Sequence, residues 1–247
     1  MQNIVIIGAT SLIAVNCAEI WCTNSPITLH LVGRDYFRTQ RIANDLKIKY
    51  TESVIHVHIL NFNNYFDIEK WTNDFCTIII PDIVLISHGV LHNQVECQNS
   101  LSLNFDSLFV NGISPVFFAE VFARHMEIIN KGTIAIIGSV AGDIGRKSNY
   151  IYGSAKSLVS NYVHGLQHRL NSTNVKVVLI KPGPTKTPMT ADLIENKLKL
   201  ADVNLVAKDI VRGIAKGSSI VYTPSKWFFI MLLLKVLPKF LFYKLNI

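Results

Sequence analysis

The chain lacks most of what marks a secreted, metal-bound or multidomain protein. Its four cysteines, Cys17, Cys22, Cys76 and Cys97, show no paired spacing of the kind that ligates metal. They fall in or near predicted helices and read as reduced core thiols of a cytosolic protein. No repeat, low-complexity tract or Gly/Ser/Pro linker divides the 247 residues, so one domain is sufficient. No basic segment and cleavage site open the chain, because Ile4 to Ile7 runs straight into a glycine turn, which argues against a secretion signal. The apolar run at 227–234 is far short of the ~20 residues a bilayer span needs. Acid is scarce: 24 Lys and Arg stand against 17 Asp and Glu, a net charge of +7. Such a balance suits nucleic acid, an anionic cofactor or a membrane surface, and the placement of the lysines decides among them.

What is present is an alternation. Short apolar runs at 3–7, 27–32, 54–60, 83–86, 134–137, 175–180 and 219–222 have the continuous character of strands buried on both faces. Helical patterns lie between them, to about 22 and at 36–50, 101–129, 149–171 and 208–216. The order predicts an α/β fold, a single Rossmann-type doubly wound parallel sheet of about seven strands with helices on both faces. That domain covers 1–224, and a hydrophobic, basic helical tail follows at 225–247. The long pattern at 101–129 is interrupted by Asn111-Gly112 and Ser114-Pro115, which predicts a kink or a purpose there. His56 and His58 share one side of a strand and His164 and His168 one side of a helix; neither pair has a third ligand in view, and both read as non-metal. Asn171-Ser172-Thr173 matches a glycosylation sequon, discounted in a cytosolic chain.

Two stretches carry chemistry. Gly8-Ala9-Thr10-Ser11-Leu12-Ile13-Ala14 leads from a buried strand into a helix N-terminus, whose free N–H groups and positive dipole end suit a pyrophosphate. Further on, Ser139 ends a buried strand, and Tyr152 and Lys156 follow at helical i, i+4 spacing, on one face. A phenol titrates near pH 10, but a fixed ammonium about 4 Å away is worth about 4 kcal/mol at an effective dielectric of about 20. Lys156 is therefore expected to bring Tyr152 into the range where it passes a proton at neutral pH. At the tip of the second strand, Arg34 can fork onto a ribose 2′-phosphate and argues for NADP, with Arg38 one turn on; the competing reading pairs Arg34 with Asp35 in a solvated loop.

Ser139, thirteen positions before Tyr152-x-x-x-Lys156, resembles the catalytic signature of the short-chain dehydrogenase/reductase family. The resemblance extends over about residues 3–223 and implies roles. Ser139 would orient a substrate oxygen, Tyr152 exchange its proton, Lys156 hold the nicotinamide ribose, and Asn111, 28 positions before Ser139, anchor a relay water. It also implies NADP(H) contacts from Gly8, Thr10, Ser11, Leu12 and Ile13, although Leu12 and Ala14 stand where the family has glycines. Asn61 and Phe62 fall where the family has an adenine-contacting aspartate. His88 and Gly89 occupy the fourth strand's turn, and Pro182, Gly183, Thr185 and Thr187 resemble the family's Pro-Gly-x-x-x-Thr at the nicotinamide carboxamide. Family resemblance favours homodimers or homotetramers built on the two long helices.

Lysines at 226, 235, 239 and 244, with no acid after Asp209, suit a tail lying in an anionic membrane interface. A dimer contact or a lid over the pocket are the alternatives. The Thr-Ser-x-Ile-Ala loop, Ser-Val-Ala-Gly-Asp-x-Gly-Arg at 139–146 and this tail together resemble the subgroup of decaprenylphosphoryl-2-keto-pentose reductases. That resemblance implies reduction of a keto-sugar on a polyprenyl-phosphate carrier, with Arg146 and Lys147 meeting its phosphate, in the cytoplasm at the inner face of the membrane. A ketoacyl thioester or other soluble ketone is the alternative substrate, and a non-catalytic dinucleotide-binding protein the third reading. No nucleic-acid partner is expected.

Overall fold

The computed structural model describes residues 1–191 and 200–245; the last two residues of the predicted tail lie outside this range. Its centre is a seven-stranded sheet of order β3-β2-β1-β4-β5-β6-β7. The strands are β1 (Gln2–Ile7), β2 (Ile27–Gly33), β3 (Val54–Ile59), β4 (Ile83–Ile86), β5 (Thr133–Ile137), β6 (Lys176–Pro182) and β7 (Ile220–Thr223), all paired in parallel. Successive side chains point to opposite faces, so each strand feeds two cores. Ile4 and Ile6 join a cluster with Leu29, Leu31 and Ile210, whereas Val5 and Ile7 join Phe118, Phe122 and Val159 on the other side.

The helices cover those faces. On one lie α1 (Leu12–Asn24) and α8 (Val203–Lys216), with α2 (Tyr36–Lys49) beside β2 and β3; on the other lie α3 (Tyr65–Ile78), α6 (Ser114–Ile129) and α7 (Tyr150–Arg169). Helix α8 begins five residues before the predicted start, because Asp202 caps it by accepting from the amides of Asn204 and Leu205. Two elements absent from the sequence reading are α3 and the short α4 (Gln94–Asn99).

The predicted helix at 101–129 is one helical run with a defect in it. Helix α5 (Leu101–Leu108) passes into a π-helical turn, Phe109–Ile113, before α6 resumes with Pro115 in its first turn, where a missing N–H is tolerated. The run is long and apolar enough to cross a membrane, but over half of its most apolar window is buried in the domain. The tail forms α9 (Lys226–Val236) and α10 (Lys239–Phe242). Helix α9 folds back beside β7 and buries Met231.

Register brings the site together. Ile7 pairs with Val32 and with Ile86, and Ile86 with Ile136, so the tips of the central strands end level. The strand order reverses between β1 and β4, the switch point beyond whose carboxyl ends open α/β sheets take ligands.

Candidate active site

A cavity of about 660 Å³ opens beyond those strand ends. It gathers Gly8, Thr10, Ser11, Leu12 and Ile13 from the first turn, Arg34 from the second, and Phe62, His88 and Gly89 from the third and fourth. Asn111, Ser139, Tyr152 and Lys156 line its middle, and Pro182, Gly183, Thr185 and Thr187 its far wall. Asn61 is the exception among the expected residues. It is exposed, and its Oδ1 accepts from the Asn63 amide at 3.0 Å in a local turn, leaving Phe62 as the contributor at that position.

The dinucleotide end is built from α1. Ser11 is its N-cap residue but makes no side-chain capping bond, and the first turn carries no acid, so its amides are left for an anionic ligand. Ser11 Oγ instead accepts from Ser87 Oγ at 3.0 Å, tying the β4 turn to the β1 turn, a link the sequence did not disclose. Leu12, which stands where the family has a glycine, is 37% exposed and lines the cavity. Arg34, Arg38 and a further guanidinium, Arg41, line the cavity beside Asp35. The Asp35 carboxylate caps α2 by accepting from the Arg38 amide at 3.0 Å, which commits it to the helix. This chain's residues thus fit a phosphorylated dinucleotide.

The π-turn explains Asn111. The wider turn places it fully buried, with Oδ1 accepting from the Val90 amide at 2.9 Å and Nδ2 donating to the Ser107 carbonyl at 2.9 Å. Asn111 therefore clamps the β4 turn. His88 is buried in that turn, its Nε2 3.0 Å from Ser114 Oγ, and desolvation with the Lys156 and Arg34 charges holds its pKa down to about 3.

Ser139 Oγ accepts from the Ala141 amide at 3.1 Å, which fixes the hydroxyl beside Tyr152. Burial pushes the Tyr152 phenol up to about 12, against the lowering effects of Ser139 and of the Arg146 charge. Lys156 Nζ lies over the Tyr152 ring, 5.8 Å from its centre, and donates to the Ile137 carbonyl at 2.9 Å. Burial brings the Lys156 ammonium down to about 8. Arg146 lines the cavity with Nε buried and unpartnered among the described residues, whereas Lys147 is exposed outside the lining. The four cysteines are buried free thiols, and among the described residues no cluster of His, Cys, Asp or Glu could hold a metal.

This fold and this cluster define a doubly wound α/β architecture with a ligand cavity at its switch point. The chain belongs to the short chain dehydrogenase family, whose sequence pattern it matches over residues 2–198. It is 25% identical over 156 residues to an uncharacterised oxidoreductase of Mycobacterium tuberculosis, an alignment covering 63% of this chain and 62% of that protein. An uncharacterised oxidoreductase of Streptomyces coelicolor is 24% identical over 99% of this chain and 96% of its own. Among solved structures, a bulky-bulky ketone specific alcohol dehydrogenase from Comamonas testosteroni superposes with a TM-score of 0.81 at 21% identity, covering 99% of this chain and 95% of that one. A short-chain dehydrogenase from Sphingobium yanoikuyae in complex with NADPH gives 0.81 at 19% identity, covering 96% of both chains.

Proposed function

We propose that the protein is an NADPH-dependent carbonyl reductase whose substrate is a keto-sugar on a polyprenyl-phosphate carrier. The observation that carries the first part is the convergence of Ser139, Tyr152, Lys156 and Asn111 on one cavity with three arginines at its dinucleotide end. NADPH, when bound, supplies a hydride to the carbonyl carbon. The amides of the first α1 turn would hold its pyrophosphate, Arg34, Arg38 and Arg41 its 2′-phosphate, and Lys156 its nicotinamide ribose. Tyr152 gives its phenolic proton to the carbonyl oxygen, Ser139 orients that oxygen, and Arg146 stabilises the phenolate left behind. Asn111 holds the π-turn and the β4 turn together beside Lys156.

The carrier part of the reading is supported by the tail. Phe229, Leu233, Val236, Phe240 and Tyr243 are exposed, interleaved with Lys226, Lys239 and Lys244 and unrelieved by any acid after Asp209. Such a surface suits peripheral contact with an anionic leaflet, where a lipid-linked substrate stays. Exposed Leu101, Phe105 and Leu158 on α5 and α7 support assembly as a homodimer or homotetramer through those helices.

The test is NADPH oxidation against a polyprenyl-phosphate keto-pentose, an acetoacetyl thioester and a simple diketone, with sedimentation on anionic vesicles alongside. Turnover of the lipid-linked sugar above the others, with co-sedimentation, is expected. Preference for the thioester would assign the enzyme to lipid metabolism instead, and failure to sediment would remove the membrane contact.

A further inference from the structure

The loop that carries Ser139 is pressed directly onto helix α7. A Cβ on Gly142 would stand 2.6 Å from the backbone carbonyl of Lys156, and one on Gly153, beside Tyr152, would stand 2.8 Å from the Ala141 carbonyl oxygen. Only glycine permits this approach, so wherever residues 141–143 are anchored, the distance between Ser139 and Tyr152 is set.

The anchor is Asp143, and part of it comes from the tail. Asp143 is side-chain buried, as is its partner Lys181 on β6, whose Nζ lies 2.5 Å from Oδ1. Tyr222 of β7 donates to Oδ2 at 2.8 Å, and Lys235 of α9 reaches Oδ1 at 3.3 Å. The same helix covers the opposite wall. Trp227 lies so close to Gly183 that a Cβ there would meet its indole nitrogen at 1.8 Å. Phe228 packs edge-on against Tyr222, ring centres 5.6 Å apart, and Met231 of the same helix is buried. Helix α9 therefore touches both the Ser139 loop and the Pro182–Gly183 turn.

We propose that Trp227 and Lys235 are positioning residues, through which helix α9 holds Asp143 and Gly183 and so fixes Ser139 against Tyr152. The proposal rests on reading that pair as a carbonyl-reducing site. It makes the tail part of the active-site framework, whatever else its outer face touches.

The experiment uses the full chain with Trp227→Ala and Lys235→Met, singly and together, and no membrane. On the soluble diketone the double variant should lose about 10- to 100-fold in kcat, the scale of a misplaced catalytic group, with KM for NADPH nearly unchanged. Trp227→Phe and Lys235→Arg should restore most of it, which a general loss of stability would not allow. In parallel, hydrogen exchange of the Ala141, Gly142 and Asp143 amides should quicken about tenfold in the double variant. Unchanged kcat together with unchanged exchange would overturn the proposal. If the wild type reduced no ketone, the reductase reading would fall, and the exchange measurement would decide the positioning role alone.

Discussion

On the proposed function, Arg34 is the residue on which cofactor choice turns. It stands at the tip of β2 with Arg38 and Arg41 nearby, while the carboxylate that could take a ribose hydroxyl, Asp35, is spent on capping α2. A charge-assisted hydrogen bond is worth about 1.5–3 kcal/mol, so Arg34→Ala should raise KM for NADPH about 10- to 100-fold. KM for NADH should hardly move. Steady-state kinetics with both cofactors checks this, and equal losses would show that Arg34 does not read the 2′-phosphate. At this scale the sequence was partly legible. The family resemblance grouped Ser139 with Tyr152 and Lys156, and all three line one cavity, but helical i, i+4 spacing says only that two side chains share a face. It does not say that the Lys156 ammonium bonds to a carbonyl 19 positions away, or that the Arg146 charge lowers the phenol. Asn61 shows the opposite failure, since a short polar side chain after a strand is drawn into its own turn.

The elements carry a pH response in the sheet. His30 on β2 and His56 and His58 on β3 are cross-strand neighbours, with His30 Nδ1 3.1 Å from His58 Nε2 and the His30 and His56 rings stacked at 4.9 Å. Phe75 and Trp71 of α3 close over them. Burial first, then the neighbouring imidazoles, hold His30 down to about 4 and His58 below its usual value. The unfolded chain therefore takes up protons below about pH 6.5 that the folded chain refuses, and stability is lost as pH falls through that window. His30 alone should cost about 2 kcal/mol between pH 7.5 and 5. Urea denaturation of the wild type and of His30→Leu measures it: the variant should lose less on acidification, and identical slopes would contradict the cluster's role. The sequence placed His56 and His58 on one side of a strand, but pairing with β2 was needed to bring in His30. The interruption at 111–115 was visible as letters, whereas the π-turn that buries Asn111 follows from tertiary packing. Helix α3 does carry a helical core face, with Ile68, Thr72, Phe75 and Cys76 buried at i, i+4, i+7 and i+8, a periodicity the sequence reading left unused.

For the whole molecule, the sheet was legible because strands buried on both faces read as uninterrupted apolar runs. The docking of the tail was not, since an apolar helix with lysines reads alike whether it rests on lipid, a partner or its own domain. Its contacts with Gly183 and Asp143 depend on side chains far apart in sequence. The molecule's field is similarly a property of assembly. Arg34, Arg38, Arg41, Arg146 and Lys156 line one cavity with Asp35 as the lone acid among the described residues, a concentration of positive charge suited to an anionic dinucleotide and an anionic transition state. The central claim is that this cavity reduces a carbonyl with Tyr152 as the proton donor. The measurement that tests it most directly is NADPH oxidation by wild type and Tyr152→Phe on the ketone the wild type turns over best, with NADPH affinity followed by fluorescence. The expected result is a kcat about 10²- to 10⁴-fold lower in the variant, the range a positioned acid contributes, with NADPH affinity within about threefold. A variant that kept a tenth or more of the wild-type kcat would contradict it.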